Sequence, residues 1–212
     1  MIKQRKKYLI SAILFLSVFA LWTYMLRFVD VQTIGPRESA VGFATINQWF
    51  HDLTGVNMTL YNITDWLGLV PVAIGFGFAI FGLIQWIKRK HILKVDRNIL
   101  ALGVFYIVVL AVYLFFEQYV VNRRPVLING YLEASYPSST TLLVMCVMPT
   151  AILQLKNRIG NKKCRCLTVG ILSLFTALVV LGRLISGVHW LTDIIGAALL
   201  SAGLVCLYIF AA

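Results

Sequence analysis

Residues Leu67 to Ile87 read LGLVPVAIGFGFAIFGLIQWI, a run without a single charged side chain. A helix needs about 20 predominantly apolar residues to cross the hydrocarbon core of a bilayer, and this stretch has that length. Five further runs carry the same pattern: Tyr8 to Leu26, Ile99 to Phe116, Ser138 to Leu155, Leu167 to Leu181 and Leu191 to Ala211. The expected fold is an all-α membrane protein, a six-transmembrane-helix bundle forming one domain over residues 1–212.

Composition points the same way. The chain is 60% hydrophobic and 13% charged, with mean hydropathy +0.85, whereas a soluble domain is about half apolar and about a quarter charged. The net charge of +11 comes from basic residues grouped between the apolar runs, which fits membrane topology and not nucleic-acid binding. Cys146 and Cys206 lie in apolar runs and Cys164 and Cys166 in a Lys/Arg-rich loop. No disulfide framework follows, and the C-x-C pair lacks the further ligands a zinc site needs. The basic start and apolar run at the N-terminus are too long for an ordinary signal peptide and lack a small-residue cleavage site, so a retained helix is expected.

Orientation follows from Lys and Arg, which collect in cytoplasmic loops. Lys3, Arg5, Lys6 and Lys7 precede the first run. Lys88, Arg89, Lys90, Lys94 and Arg97 separate the second from the third. Lys156, Arg158, Lys162, Lys163 and Arg165 separate the fourth from the fifth, so 14 of 19 basic residues fall on one side. Both termini are then expected in the cytoplasm of a bacterial plasma membrane. The long connection 27–66 lies on the outer side and is too polar to span. Within it, Ser39 to Leu53 sets Phe43, Ile46, Trp49, Phe50 and Leu53 at helical spacing, which predicts an interfacial amphipathic helix or a cap over the bundle. Asn57-Met58-Thr59 and Asn62-Ile63-Thr64 match a glycosylation pattern that is common by chance.

Three polar groups share that outer side. Arg123-Arg124-Pro125 offers guanidinium forks suited to phosphate oxygens, although membrane-flanking arginines also snorkel to the interface. Pro137-Ser138-Ser139-Thr140-Thr141 puts hydroxyls and free N–H groups at a helix N-terminus, either as an anion site or as an ordinary N-cap. In Gly182-Arg183-Leu184-Ile185-Ser186-Gly187-Val188-His189-Trp190-Leu191-Thr192-Asp193, His189 and Asp193 are four apart where a helix enters the membrane. A carboxylate there can orient an imidazole, leaving its other nitrogen free to attack. Asp193 is also costly just inside a span unless paired or functional, and a purely structural His–Asp pair is the plainer alternative.

These residues resemble the type 2 phosphatidic acid phosphatase family, whose pattern is K-x6-R-P, then P-S-G-H, then S-R-x5-H-x3-D on a six-helix bundle. Arg124-Pro125, Pro137-Ser138, and Arg183, His189 and Asp193 match, with Gly182 in place of the usual Ser. The resemblance implies a phosphatase that needs no metal or cofactor and acts on a membrane lipid phosphate or diphosphate. His189 would become phosphohistidine, and Asp193 would orient it. Arg124, Arg183, Ser138 and the Ser139 amide would hold the phosphate.

Two departures bear on substrate. The family Lys position holds Glu117, where a carboxylate facing the site would repel phosphate and Arg123 could partly substitute. The family His position holds Thr140, which cannot act as the general acid, a role worth about 10² to 10⁴ in rate. A lipid diphosphate, which releases a lipid monophosphate, suffers least from that loss. Isoprenoid diphosphate such as undecaprenyl diphosphate therefore ranks above phosphatidic acid or phosphatidylglycerophosphate. A non-catalytic lipid-phosphate binder or transporter would need the same arginines, and only His189 held by Asp193 separates the two readings.

Overall fold

The computed structural model describes residues 2–212, with side chains from Gln4 onward, so the side chain of Lys3 lies outside the described ones. In chain order the elements are α1 (Ile2–Met25), β1 (Gln32–Gly35), β2 (Ser39–Val41), α2 (Ala44–Thr54), α3 (Met58–Leu67), α4 (Leu69–Arg89), α5 (Arg97–Gln118), α6 (Ser139–Lys156), α7 (Lys162–Ile185) and α8 (Leu191–Ala211). Among the described residues six helical stretches are long and apolar enough to cross a membrane, α3 and α4 counting as one from Met58 to Arg89. This is the expected six-span bundle.

Burial separates the helices into a centre and a periphery. The apolar stretch of α6 is 56% buried and that of α8 44%, against 6% for α7 and 11% for α1. Leu102, Phe105 and Val109 of α5, Leu142 and Cys146 of α6, and Ala197, Leu200, Leu204 and Tyr208 of α8 form the main core, with Phe19 and Leu26 of α1 against it. Ile13, Phe76, Ile107 and Leu174 point outward and stay exposed. Continuous exposed apolar surface of that extent belongs against lipid.

Three elements differ from the sequence expectation. The amphipathic helix starts at Ala44 instead of Ser39, because Ser39–Val41 pairs antiparallel with Gln32–Gly35. Phe43 has left-handed angles (φ 49), and its ring stacks on Trp22 of α1 with centroids 4.9 Å apart. Phe43 thus joined the apolar period without belonging to the helix. Further along, the polar connection contains α3. Its first turn is capped by Asn57, whose side chain accepts from the Leu60 N–H at 2.9 Å, and it runs into α4 through Gly68 at φ −59, ψ −18. Lastly, α7 exceeds Leu167 to Leu181 at both ends. Asn161 caps it by accepting from Lys163 and Cys164 N–H, so Cys164 and Cys166 are exposed on its first turns and not in a loop. At its other end the helix carries Arg183 to within two residues of its terminus.

Candidate active site

The C-terminal ends of α5 and α7 and the N-terminal ends of α6 and α8 meet at one end of the bundle. The turn after α7 brings His189 there. Gly187 has φ +65, and a Cβ on it would stand 1.8 Å from the Gly55 carbonyl oxygen, so only glycine fits. Asn57 N–H donates to the Ser186 carbonyl at 2.9 Å, and the Trp190 indole donates to the Arg123 carbonyl at 2.7 Å. The second polar group is tied in by Ser138 N–H, which donates to the Asp193 carbonyl at 3.2 Å.

His189 is 3% exposed. Its Nε2 lies 3.1 Å from Arg124 Nη1 and 3.2 Å from Arg183 Nη2. Guanidinium nitrogens only donate, so Nε2 carries the lone pair and the proton resides on Nδ1. Nδ1 faces Asp193 Oδ2 at 3.6 Å, beyond hydrogen-bond length. That carboxylate oxygen accepts the Trp190 N–H at 2.9 Å, and the Ser135 and Asn122 side chains face the same carboxyl group. Burial first, and then the positive charges of Arg124 and Arg183, hold the His189 imidazole well below its ordinary pKa. The ring is therefore neutral, with a lone pair aimed between two cations.

The two guanidinium groups share a platform. Arg183 sits 4.6 Å and Arg124 5.6 Å from the centre of the Tyr61 ring, an arrangement that favours both cations electrostatically. Arg183, fully buried, also contacts Asp65 Oδ1 at 3.3 Å, and Arg124 Nε contacts Glu133 Oε2 at 3.1 Å. Those carboxylates are 56% and 43% exposed, so water screens them more than it screens the arginines. A net positive field remains at Nε2, matched to an anion.

The remaining expected residues divide. Ser138 is buried at the N-cap of α6 with its hydroxyl 3.0 Å from Thr141 Oγ1. Ser139 lines a narrow cleft together with His189, Tyr113, Phe116, Glu117 and Ser135. Glu117 thus faces the cleft, beside the Tyr113 hydroxyl. Thr140 does not line it: a Cβ on Gly68 would sit 3.2 Å from the Thr140 methyl, which places that side chain against the α3–α4 junction. Arg123 is not brought to the cluster either. Its exposed guanidinium donates to the Leu132 carbonyl at 2.9 Å, because the Arg123–Ala134 bridge that turns Arg124 inward turns its neighbour outward. Gly182 has a local cause, since a Cβ there would lie 2.6 Å from the Thr64 methyl. Among the described residues no group of three or more His, Cys, Asp or Glu is arranged to hold a metal ion.

Tyr61, Asp65, Asn122, Glu133 and Ser135 are the members that sequence reading missed. Tyr61 and Asp65 stand four apart on α3, a signal that becomes visible once Asn57 is read as a helix cap. Below the cleft, an apolar groove of about 450 Å³ runs between α1 and α5 with α8 as its floor. Phe116 lines both spaces. Its ring meets Tyr136 edge-on at 6.0 Å, and Phe19 of the groove stacks on the same Tyr136 at 6.1 Å.

Comparison with known proteins places the chain in a family. Among curated proteins none matches the chain in sequence at a significant level. The fold is similar, over 94% of each chain, at TM-score 0.66 and 16% identity, to the crystal structure of the first transmembrane PAP2 type phosphatidylglycerolphosphate phosphatase from Bacillus subtilis. The sequence profile of the PAP2 superfamily matches residues 11–211, from within α1 to the end of α8, and the chain belongs to that superfamily, whose members are phosphatases.

Proposed function

We propose that the protein hydrolyses a lipid diphosphate, most suitably an isoprenoid diphosphate such as undecaprenyl diphosphate, through a phosphohistidine on His189 and without a metal ion. The observation that carries the reading is the His189 Nε2 lone pair set between Arg124 and Arg183. In the first step Nε2 bonds to the terminal phosphorus while the bridging P–O bond breaks, and the electron pair leaves with the lipid monophosphate. In the second step water attacks the phosphohistidine, the N–P bond breaks, and the proton of water passes to the released phosphate. Arg124, Arg183, Ser138 and the Ser139 amide stabilise the charge on the transferring group. Asp193 balances the charge on the ring while Nδ1 keeps its proton.

The leaving group decides the substrate class. A departing phosphate monoester needs no protonation, whereas a departing alkoxide does, and Thr140 offers no acid and lies outside the cleft. The groove beside Phe116 supports a lipid substrate, since a hydrocarbon chain can lie in it while the phosphate rests on His189. The basic-residue distribution supports cytoplasmic termini and a site on the outer face of a bacterial plasma membrane.

Phosphate release from purified protein in detergent with EDTA, compared between undecaprenyl diphosphate and phosphatidic acid, tests the proposal. Faster release from the diphosphate is expected, unchanged by EDTA. Preference for the monoester would overturn the substrate, and loss in EDTA the metal-free mechanism. His189→Asn is expected to abolish turnover, and retained lipid handling without any turnover in the unmodified protein would indicate a binder. The name of the related Bacillus subtilis protein makes phosphatidylglycerophosphate the second monoester to include.

A further inference from the structure

The N-terminus of α8, which carries Asp193, is held by a side chain from a different helix. Asn47 of α2 is 1% exposed. Its Nδ2 donates to the Gly42 carbonyl at 2.8 Å and to Thr192 Oγ1 at 3.0 Å, and its Oδ1 accepts the Thr192 N–H at 3.2 Å. Thr192 is the second residue of α8, one of the positions whose N–H has no partner within the helix. The residue at the N-cap is Trp190, and an indole has no oxygen to offer that N–H. Asn47 therefore supplies from outside the carboxamide oxygen that an N-cap asparagine supplies from within.

The consequence reaches the site through one peptide unit. Asp193 follows Thr192 directly, and its carboxylate faces His189 Nδ1 at 3.6 Å. A shift of roughly 0.5 Å would bring that contact into hydrogen-bond range. On its opposite side α2 exposes Ile46, Trp49 and Leu53, an apolar stripe suited to the lipid–water boundary. One helix thus exposes an apolar stripe on one face and caps the helix bearing Asp193 with the other.

We propose that Asn47 is a positioning residue through which the seating of α2 on the lipid surface sets the alignment of Asp193 with His189. The activity arm of its test rests on the phosphatase reading above, whereas the exchange arm does not. In nanodiscs of phosphatidylglycerol and phosphatidylethanolamine, Asn47→Ala lowers kcat roughly 10- to 100-fold and leaves KM within about twofold. Asn47→Gln, which keeps both the carboxamide oxygen and the donor, recovers part of the loss. Trp49→Ala lowers kcat when Asn47 is present and has no further effect in the Asn47→Ala background, the non-additivity expected of coupled residues.

Hydrogen exchange of the segment 188–194 reads the same coupling without turnover. Trp49→Ala speeds exchange at the Thr192 amide in the otherwise unmodified protein, which keeps the proposal testable if Asn47→Ala does not fold. Losses that multiply in the double variant, no recovery in Asn47→Gln, or unchanged exchange in Trp49→Ala would each overturn it. Absence of turnover in the unmodified protein, with exchange responding as stated, would overturn the phosphatase reading and leave the coupling standing.

Discussion

Arg183 Nη2 lies 3.2 Å from His189 Nε2, six residues further along the chain and across the end of α7. A fully buried guanidinium therefore points at the lone pair of the proposed nucleophile. The arrangement makes sense when a phosphoryl group takes the place between them, since the donors that now meet nitrogen would then meet oxygen.

Arg183 Nη1 donates to the Tyr61 carbonyl at 3.4 Å as well as to Asp65. Arg183→Lys is expected to lower kcat by about 10² to 10³, because lysine is a compact charge that cannot span both of these and the phosphate at once. Steady-state kinetics on undecaprenyl diphosphate check this. A loss below tenfold would remove Arg183 from the transition state.

The pH profile follows from His189. Its pKa is lowered chiefly by burial and further by Arg124 and Arg183, and the neutral ring is the form that the proposed mechanism requires for attack on phosphorus. The kcat/KM profile should hold as pH falls through 6.5, the ordinary histidine value, and decline only on a limb below it. Stability moves in the same direction. The unfolded chain takes up a proton near pH 6.5 that the folded site refuses, so this contribution is complete above 6.5 and is lost as pH falls below it. An acid limb at or above 6.5 would contradict a neutral buried imidazole.

Glu117 faces the cleft that contains His189, so under the proposed function its carboxylate would oppose an incoming phosphate. Glu117→Lys is expected to lower KM by roughly tenfold, about 1.4 kcal/mol, and Glu117→Gln by less. Titrating rates against substrate at low and high salt measures it. An unchanged KM would place the carboxylate beyond the reach of the phosphate.

Ala111 lines the groove beside Phe116. Ala111→Trp fills that space, and the expected result is a KM for long-chain isoprenoid diphosphate raised at least about tenfold. A short-chain prenyl diphosphate, which does not reach the groove, should be turned over at a rate changed by no more than about twofold. Equal losses on both substrates would mean that the substitution disturbs α5 and not chain binding.

The six spans were legible in the sequence because a bilayer demands length and the absence of charge, and Leu67 to Ile87 or Leu191 to Ala211 display both along the chain itself. The periodic positions Ile46, Trp49 and Leu53 also announced α2, but the apolar period could not tell that Phe43 stands outside it, since a ring packed on Trp22 and a ring on a helix face obey the same spacing. Arg124, Arg183 and His189 were legible as a set because their motif spacing repeats a family pattern. Only the tertiary structure decided what surrounds them. Asn47 and Thr192 are 145 positions apart, and Arg183 and Asp65 are 118 apart. Such pairings depend on how α2 and α3 fold back over the ends of α7 and α8, and local sequence holds no record of that. Tertiary structure also turned Arg123 outward and set Thr140 against Gly68, because neighbouring residues on a bridge or a helix turn point in different directions. The sequence by itself thus determined the membrane-spanning framework and singled out Arg124 and Arg183, through solvent compatibility and spacing. The fold alone decided which side chains meet at His189, through packing between segments far apart in the chain.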